Sequence, residues 1–202
     1  MAISLERYTA LKGYSRVLAR ALDEKDTVTR LHCERVIELS GALGRRCRLA
    51  AGELRHLRLA AALHDIGKIG IRDAVLQKPG QFDADEWREM QTHSERGQRI
   101  VREIDVEGAL EVALAVRHHH EDFGGGGYPD GLRGEAIPLI ARMVAIVDSY
   151  DAMATPRPYH PKRIHGEIMG VLESERGGRF DPYLLTRFTE VIDGSPVRAP
   201  SS

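Results

Sequence analysis

Apolar residues recur at helical spacing along nearly the whole chain. From Asp26 to Leu43 the stripe Val28, Val36, Leu39, Leu43 predicts a helix that Gly44 ends, with His32 on the same stripe. A second helix is predicted over about 51–64, where Leu54, Leu57 and Ala61 lead to His64. Residues 66–82 hold Gly67, Gly70, Pro79 and Gly80 and read as a long loop. A third helix starts near Asp83, where Asp83 and Glu86 form a capping box and Phe82 with Trp87 a hydrophobic staple. It carries Met90, His93, Gly97 and Ile100 on one face. A fourth, over about 106–120, brings Val112 and Val116 to His119 and His120.

Residues 122–137 are glycine-rich and irregular, and Pro138 suits a first helical turn before the stripe Ile140, Val144, Val147, which includes Asp148. Two shorter helices are predicted over about 163–175 and 182–193, the last capped by Asp181 and Pro182. Residues 4–23 suit a leading helix. The chain divides into a leading helix or linker over 1–25, a domain over 26–194 and a flexible tail over 195–202.

The pattern becomes chemical where polar residues interrupt the apolar stripes. His32, His64, His93, His119 or His120, and Asp148 fall on the apolar faces of five different helices. One buried histidine is more often a hydrogen-bonded core residue than a ligand. Five such coincidences would bury much ionisable surface at high cost unless something satisfied it. Metal ions at the centre of a helical bundle would do so. Asp65, next to His64 where Gly67 lets the chain turn, has two oxygens and suits a bridge between two ions. Ions ~3.5–4 Å apart suit phosphoester hydrolysis by a metal-activated hydroxide. Nitrogen and oxygen donors without thiolate favour iron or manganese over zinc.

Charge and composition narrow the partners. A formal net charge of −1 argues against a surface that holds long nucleic acid. A hydrophobic content of 42% over 202 residues fits one domain with a real core. No apolar run approaches a membrane span, and the N-terminus lacks a signal-peptide pattern. Cys33 and Cys47 lie in one predicted helical segment, roughly 21 Å apart, too far for a disulfide. They read as free thiols in a cytoplasmic protein.

The segment His64-Asp-Ile-Gly-Lys-Ile-Gly-Ile71 followed by Lys78-Pro-Gly80, and His119-His-Glu121 leading to Gly127-Tyr-Pro129, resemble the HD-GYP family. Gly131-Leu, Gly134-Glu, Ile137-Pro, Ala152-Met and Arg157-Pro-Tyr159 extend the resemblance, which covers about Asp26 to Phe188. It implies an all-α HD-superfamily bundle with a metal centre in its core, and hydrolysis of cyclic di-GMP to pGpG and/or GMP. It also implies one ion held by His32, His64, Asp65 and Asp148, and another by Asp65, His93, His119 and His120. Lys68 would stabilise charge at the scissile phosphate, with Asp65 beside it in the catalytic set. Gly127, Tyr128, Arg157 and His160 would bind substrate, Tyr128 by a hydrogen bond or by stacking on a base. Residues 1–25 resemble the helix that links such domains to sensor or receiver modules, and a homodimer and a regulatory partner fit that arrangement.

Departures from the family pattern cluster away from the ligands. Val28 stands where members with three metals carry glutamate, so two ions are expected. Gly124, Ala154, Pro156 and His160 alter the substrate rim, which implies weak or shifted preference, including linear pGpG or a mixed GMP-AMP cyclic dinucleotide. Two other readings stay open: a weakly catalytic signalling module that binds metal or nucleotide, and an HD hydrolase acting on another nucleotide. His118 is read as supporting or exposed, His56 and His165 as helix-surface residues, Glu121 as supporting. Asp151 either orients a ligand histidine or caps structure.

Overall fold

The computed structural model describes residues 30–104, 108–155 and 163–200, together with Gly13, Val17, Leu18, Arg20, Leu22 and Lys25. Among the described residues eight α-helices follow Lys25: α1 Arg30–Arg46, α2 Ala51–Leu63, α3 Asp73–Leu76, α4 Ala84–Arg102, α5 Ala109–His118, α6 Leu139–Ala154, α7 His165–Ser174 and α8 Pro182–Ile192. Among the described residues there is no strand, only an isolated bridge between Arg176 and Phe180. The fold is all-α, and the elements that carry the predicted ligands pack pairwise: α1 on α2 and α6, α4 on α5, α2 and α6 on α5.

The predicted stripes form one core. Val36, Leu39, Leu43, Leu57, Ala61, Val112, Val116, Val144 and Val147 are all buried in it. α6 is apolar on most sides and runs through the middle, burying Met143, Ile146 and Tyr150 as well. The capping box at Asp83 forms, with the Asp83 carboxylate accepting the Asp85 and Glu86 amides at 2.9 Å. Asp181 caps α8 and also accepts from Arg142 at 2.6 Å, tying α8 to α6.

Several expectations change. Gly44 does not end the first helix, which runs to Arg46. A Cβ there would lie 2.8 Å from the side chains of Leu54 and Leu57, so this glycine lets α1 and α2 approach. The stretch 66–82 is not a plain loop, because it holds a 3-10 helix over Ile66–Gly70 and then α3. Ile71, Val75 and Met90 bury a small apolar cluster that fixes it. Residues 195–200 do not project as a free tail: Ala199 is buried, its amide donates to the Tyr150 hydroxyl (3.0 Å), and the Pro200 carbonyl accepts from His165 (2.8 Å). His165 is therefore no surface residue; it is buried with its Nδ1 2.9 Å from the Tyr150 hydroxyl. Cys33 and Cys47 form no disulfide, and Cys47 stands just past the end of α1.

Most of residues 1–25 lie outside the described residues, as do Asp26, Val28, Pro156, Arg157 and His160. The described positions Leu18 and Leu22 pack against the core. Lys25 donates to the carbonyls of Ile69 (2.8 Å) and Ile71 (2.7 Å) and so holds the end of the 3-10 helix.

Candidate metal centre

Five helices deliver histidine and aspartate to one place. His32 comes from the first turn of α1, His64 from the C-cap of α2, His93 from the middle of α4, His119 and His120 from the end of α5, and Asp148 from α6. Asp65 caps the 3-10 helix. Two sets of donor atoms lie within ligating distance of each other: Asp65, His93, His119 and His120, and alongside them His32, His64 and Asp148. Asp65 faces both sets, with Oδ2 3.4 Å from His64 Nε2 and Oδ1 3.6 Å from His93 Nε2.

The close fit depends on glycine. A Cβ at Gly67 would sit 1.8 Å from the His93 carbonyl oxygen and 2.5 Å from the Gly97 amide nitrogen. Only a residue without a side chain lets the 3-10 helix lie on α4, which brings Asp65 to His93.

Hydrogen bonds set the histidine tautomers. His64, His93 and His119 each place Nδ1 at 2.7–2.9 Å from a main-chain carbonyl three residues back, at Ala61, Met90 and Val116. A carbonyl only accepts, so Nδ1 carries the proton and Nε2 presents its lone pair inward. His32 achieves the same by donating from Nδ1 to the Asp151 carboxylate at 2.7 Å. The inward nitrogens lack protein partners that suit them. Nε2 of His32 and of His64 is buried without a hydrogen bond, although Asp148 Oδ1 lies 3.3 and 3.5 Å away. The Nε2 atoms of His93 and His119 face each other at 3.4 Å. Two lone pairs aimed together in a buried site are unfavourable unless a cation lies between them. These orphaned nitrogens, beside Asp65 and Asp148, fit divalent cations with nitrogen and oxygen ligands.

The protein's own charges and burial divide the histidines: His32 and His64, beside Asp148, favour the charged form, and His93, His119 and His120 the neutral, ligating form. Burial pushes His119 down to about 3, helped by the charges of His64 and His93. Burial likewise lowers His93 and His120. Burial opposes the charge on His32 too, but Asp148 and Asp151 outweigh it and raise that group to about 9. His64 is raised by Asp65 and Asp148 against the same burial. Asp65 and Asp148 remain carboxylates well below the usual range, since Lys68 and the histidines overcome their burial.

Around this centre, Lys68 Nζ donates to Asp65 Oδ2 at 2.7 Å, one turn along the 3-10 helix. Tyr128 stacks on His120 with ring centroids 4.8 Å apart and 25° between planes. Gly127 allows the tight return of its loop, because a Cβ there would meet the His120 carbonyl oxygen and the Asp122 amide at 2.3 Å. The Tyr128–Pro129 peptide is cis. Arg157 and His160, the other two expected substrate contacts, lie outside the described residues.

Asp151, open between two readings, orients His32, a candidate ligand: its carboxylate takes His32 Nδ1 and is gripped by Arg35, with Nε to Oδ1 at 2.5 Å and Nη2 to Oδ2 at 2.9 Å. The apolar pattern does not single out Arg35; its place one turn after His32 is the only local signal for it. Glu121 acts on the loop, accepting the amides of Asp130 (2.7 Å) and Leu132 (3.0 Å). Arg117 forks Asp130 at 2.6 and 2.7 Å, and His118 Nε2 lies 2.8 Å from the same carboxylate. His118, Glu121 and Asp130 are close enough to resemble a third ligand group. Their carboxylate oxygens are already taken by protein donors, which makes the group a latch for the loop that carries Tyr128.

Comparison with known proteins agrees. The HD domain family model matches residues 16–184. The chain is 40% identical over 165 residues to the cyclic di-GMP phosphodiesterase response regulator RpfG of Xanthomonas campestris pv. campestris, covering 82% of this chain and 44% of that protein. It is 35% identical over 179 residues to 3'3'-cGAMP-specific phosphodiesterase 2 of Vibrio cholerae, covering 87% and 34%. The chain thus spans less than half the length of these relatives. A crystal structure of a cyclic GMP-AMP specific phosphodiesterase of V. cholerae superposes with a TM-score of 0.71 at 22% identity, covering 91% of this chain and 49% of that one. The HD domain of the L. monocytogenes phosphodiesterase PgpH in complex with cyclic-di-AMP shares the fold with a TM-score of 0.54 at 18% identity, covering 86% of each chain. The chain belongs to the HD domain family, in its HD-GYP branch.

Proposed function

We propose that this chain is a metal-dependent phosphodiesterase that hydrolyses a cyclic dinucleotide, cyclic di-GMP to pGpG and/or GMP. The observation that carries the reading is the set of inward, unpartnered histidine Nε2 atoms around Asp65 and Asp148. His32, His64, Asp65 and Asp148 would hold one divalent ion and Asp65, His93, His119 and His120 the other, iron or manganese being favoured. Such ions would clamp the phosphodiester and make a water acidic enough to attack it. Asp65 spans both sets while Lys68 keeps one of its oxygens charged and oriented. Lys68 Nζ, held beside Asp65, would supply positive charge to the phosphoryl oxygens or the leaving group. Tyr128 and Gly127 form one wall of the substrate site, and Arg157 and His160 are proposed contacts to its phosphate.

A second substrate has its own support: relatives named as 3'3'-cGAMP-specific phosphodiesterases match the chain at 33–35% identity. Among the described residues no helix is long and apolar enough to cross a membrane, in keeping with action in the cytoplasm. A fused sensor or receiver domain fits relatives of more than twice the matched length; a homodimer is proposed on the family resemblance alone.

The test is anaerobic purification, metal quantification per chain, and product analysis on cyclic di-GMP and 3'3'-cGAMP with the same sample. About two ions per chain and the appearance of pGpG or GMP support the reading. Two ions without turnover of either substrate move the function to a binding role, and a chain that takes up no metal overturns it.

A further inference from the structure

Ring contacts run outward from the ligand histidines and end on a tryptophan that the chemistry above does not use. Tyr128 stacks on His120 and stands 6.4 Å from His93. Trp87 crosses Tyr128 at 6.0 Å and 80°. Phe82 stacks on Trp87 at 6.3 Å and 25°. Phe82 precedes the N-cap of α4 and Trp87 lies in its first turn, so this last contact is the predicted staple. A staple needs only apolar contact, and it accounts for one part of the indole. The remainder is open, since Trp87 is 46% exposed.

An exposed indole two ring contacts from a phosphate-binding centre is a stacking platform. Aromatic faces hold nucleobases with little regard to their hydrogen-bonding edges. We infer that Trp87, set across Tyr128, forms the subsite for one purine base of a cyclic dinucleotide whose phosphate lies at the His/Asp groups. The inference rests on the phosphodiesterase reading for its ligand. The occupant is a purine rather than a protein side chain because the ladder is continuous with that centre: a sugar joins phosphate to base across the ring of Tyr128. Trp87 is then a specificity residue for base-bearing ligands, indifferent to which purine is present.

The chain has a single tryptophan, so its intrinsic fluorescence reports this position alone. The metal-loaded protein is titrated with GMP and, as a ligand without a base, with ribose 5-phosphate. GMP is expected to quench the emission saturably, and ribose 5-phosphate to leave it unchanged. Trp87→Leu keeps an apolar partner for Phe82 but removes the large π face. By isothermal titration it is expected to weaken GMP about 5- to 150-fold and to leave ribose 5-phosphate within twofold, which shows that fold and centre are intact. Trp87→Phe is expected to restore most of the loss. Equal GMP affinity in wild type and Trp87→Leu overturns the subsite. So does an emission that shifts with protein concentration but not with GMP, which would mean that a protein surface covers the indole. If GMP stacks but no cyclic dinucleotide is cleaved, the subsite stands and the phosphodiesterase reading falls.

Discussion

Replacing Asp151 by asparagine separates the support of one ligand from the ligand itself. The two carboxylate oxygens of Asp151 face only donors: His32 Nδ1, Arg35 Nη2 and the Thr155 hydroxyl at Oδ2, and Arg35 Nε at Oδ1. An amide keeps the shape but turns one acceptor into a donor. Arg35 does not give up its proton, whereas an imidazole changes tautomer readily. At the Oδ1 position the amide oxygen keeps Arg35 Nε but sets NH₂ against His32 Nδ1 and Arg35 Nη2; at the Oδ2 position it keeps those two but sets NH₂ against Arg35 Nε, and the bond to His32 loses its charge. In the first orientation His32 accepts at Nδ1 and carries its proton on Nε2, where the ligating lone pair is needed; in the second its Nδ1–H is held by a weaker, uncharged acceptor. Loss of such outer support costs 10–100-fold in metal affinity, about 1.4–2.7 kcal/mol.

His64, His93 and His119 take their orientation from main-chain carbonyls and are untouched by the change. The loss should therefore fall on one ion of two. Competition with a chelator of known affinity, read as metal retained per chain, is expected to show one ion lost 10–100-fold more readily and the other unchanged. Asp151→Glu should recover part of it. Equal weakening of both ions, or none, refutes the assignment of His32 to a distinct ion and its dependence on Asp151.

Gly67→Ala forces a methyl against the His93 carbonyl oxygen; a cost on the order of 3 kcal/mol should lower Tm and metal content together, and an unchanged Tm would contradict the packing described. Lys68→Met should leave metal content intact while lowering kcat about 10²–10³-fold, and a variant of wild-type kcat removes Lys68 from the chemistry. The metal-free chain should be most stable near pH ~6.5, the ordinary histidine value. Below it the unfolded chain binds protons that buried His93, His119 and His120 refuse, His119 until about pH 3, so stability falls with acid. Above it His32, raised to about 9, and His64 lose the proton whose binding favours the fold, so stability falls again toward pH 9. Denaturant midpoints of chelated protein across this range check the shape, and a midpoint that rises steadily from pH 6 to 9 refutes it.

How far the sequence reveals this site follows from the range of each interaction. His32, His93 and Asp148 betray themselves because a helix has one buried face, and a polar residue at an apolar register position is visible within a few residues. His64-Asp65 and His119-His120 stand at helix ends, where glycine and a change of pattern mark the turn. The 3-10 helix over Ile66–Gly70 is invisible to the same reading, because Gly67 looks like a breaker until α4 lies against it. Gly44 misleads in the same way, since packing and chain termination both select a residue without a side chain. The pairing of His32 with Asp151 spans 119 positions, and that of Arg35 with Asp151 spans 116. No local period encodes such a contact; it exists only once α1 and α6 are packed. The residue that tunes a ligand is therefore harder to read than the ligand. A ligand must break the apolar pattern of its own helix, whereas Asp151 sits one turn beyond Asp148 and continues a break already made.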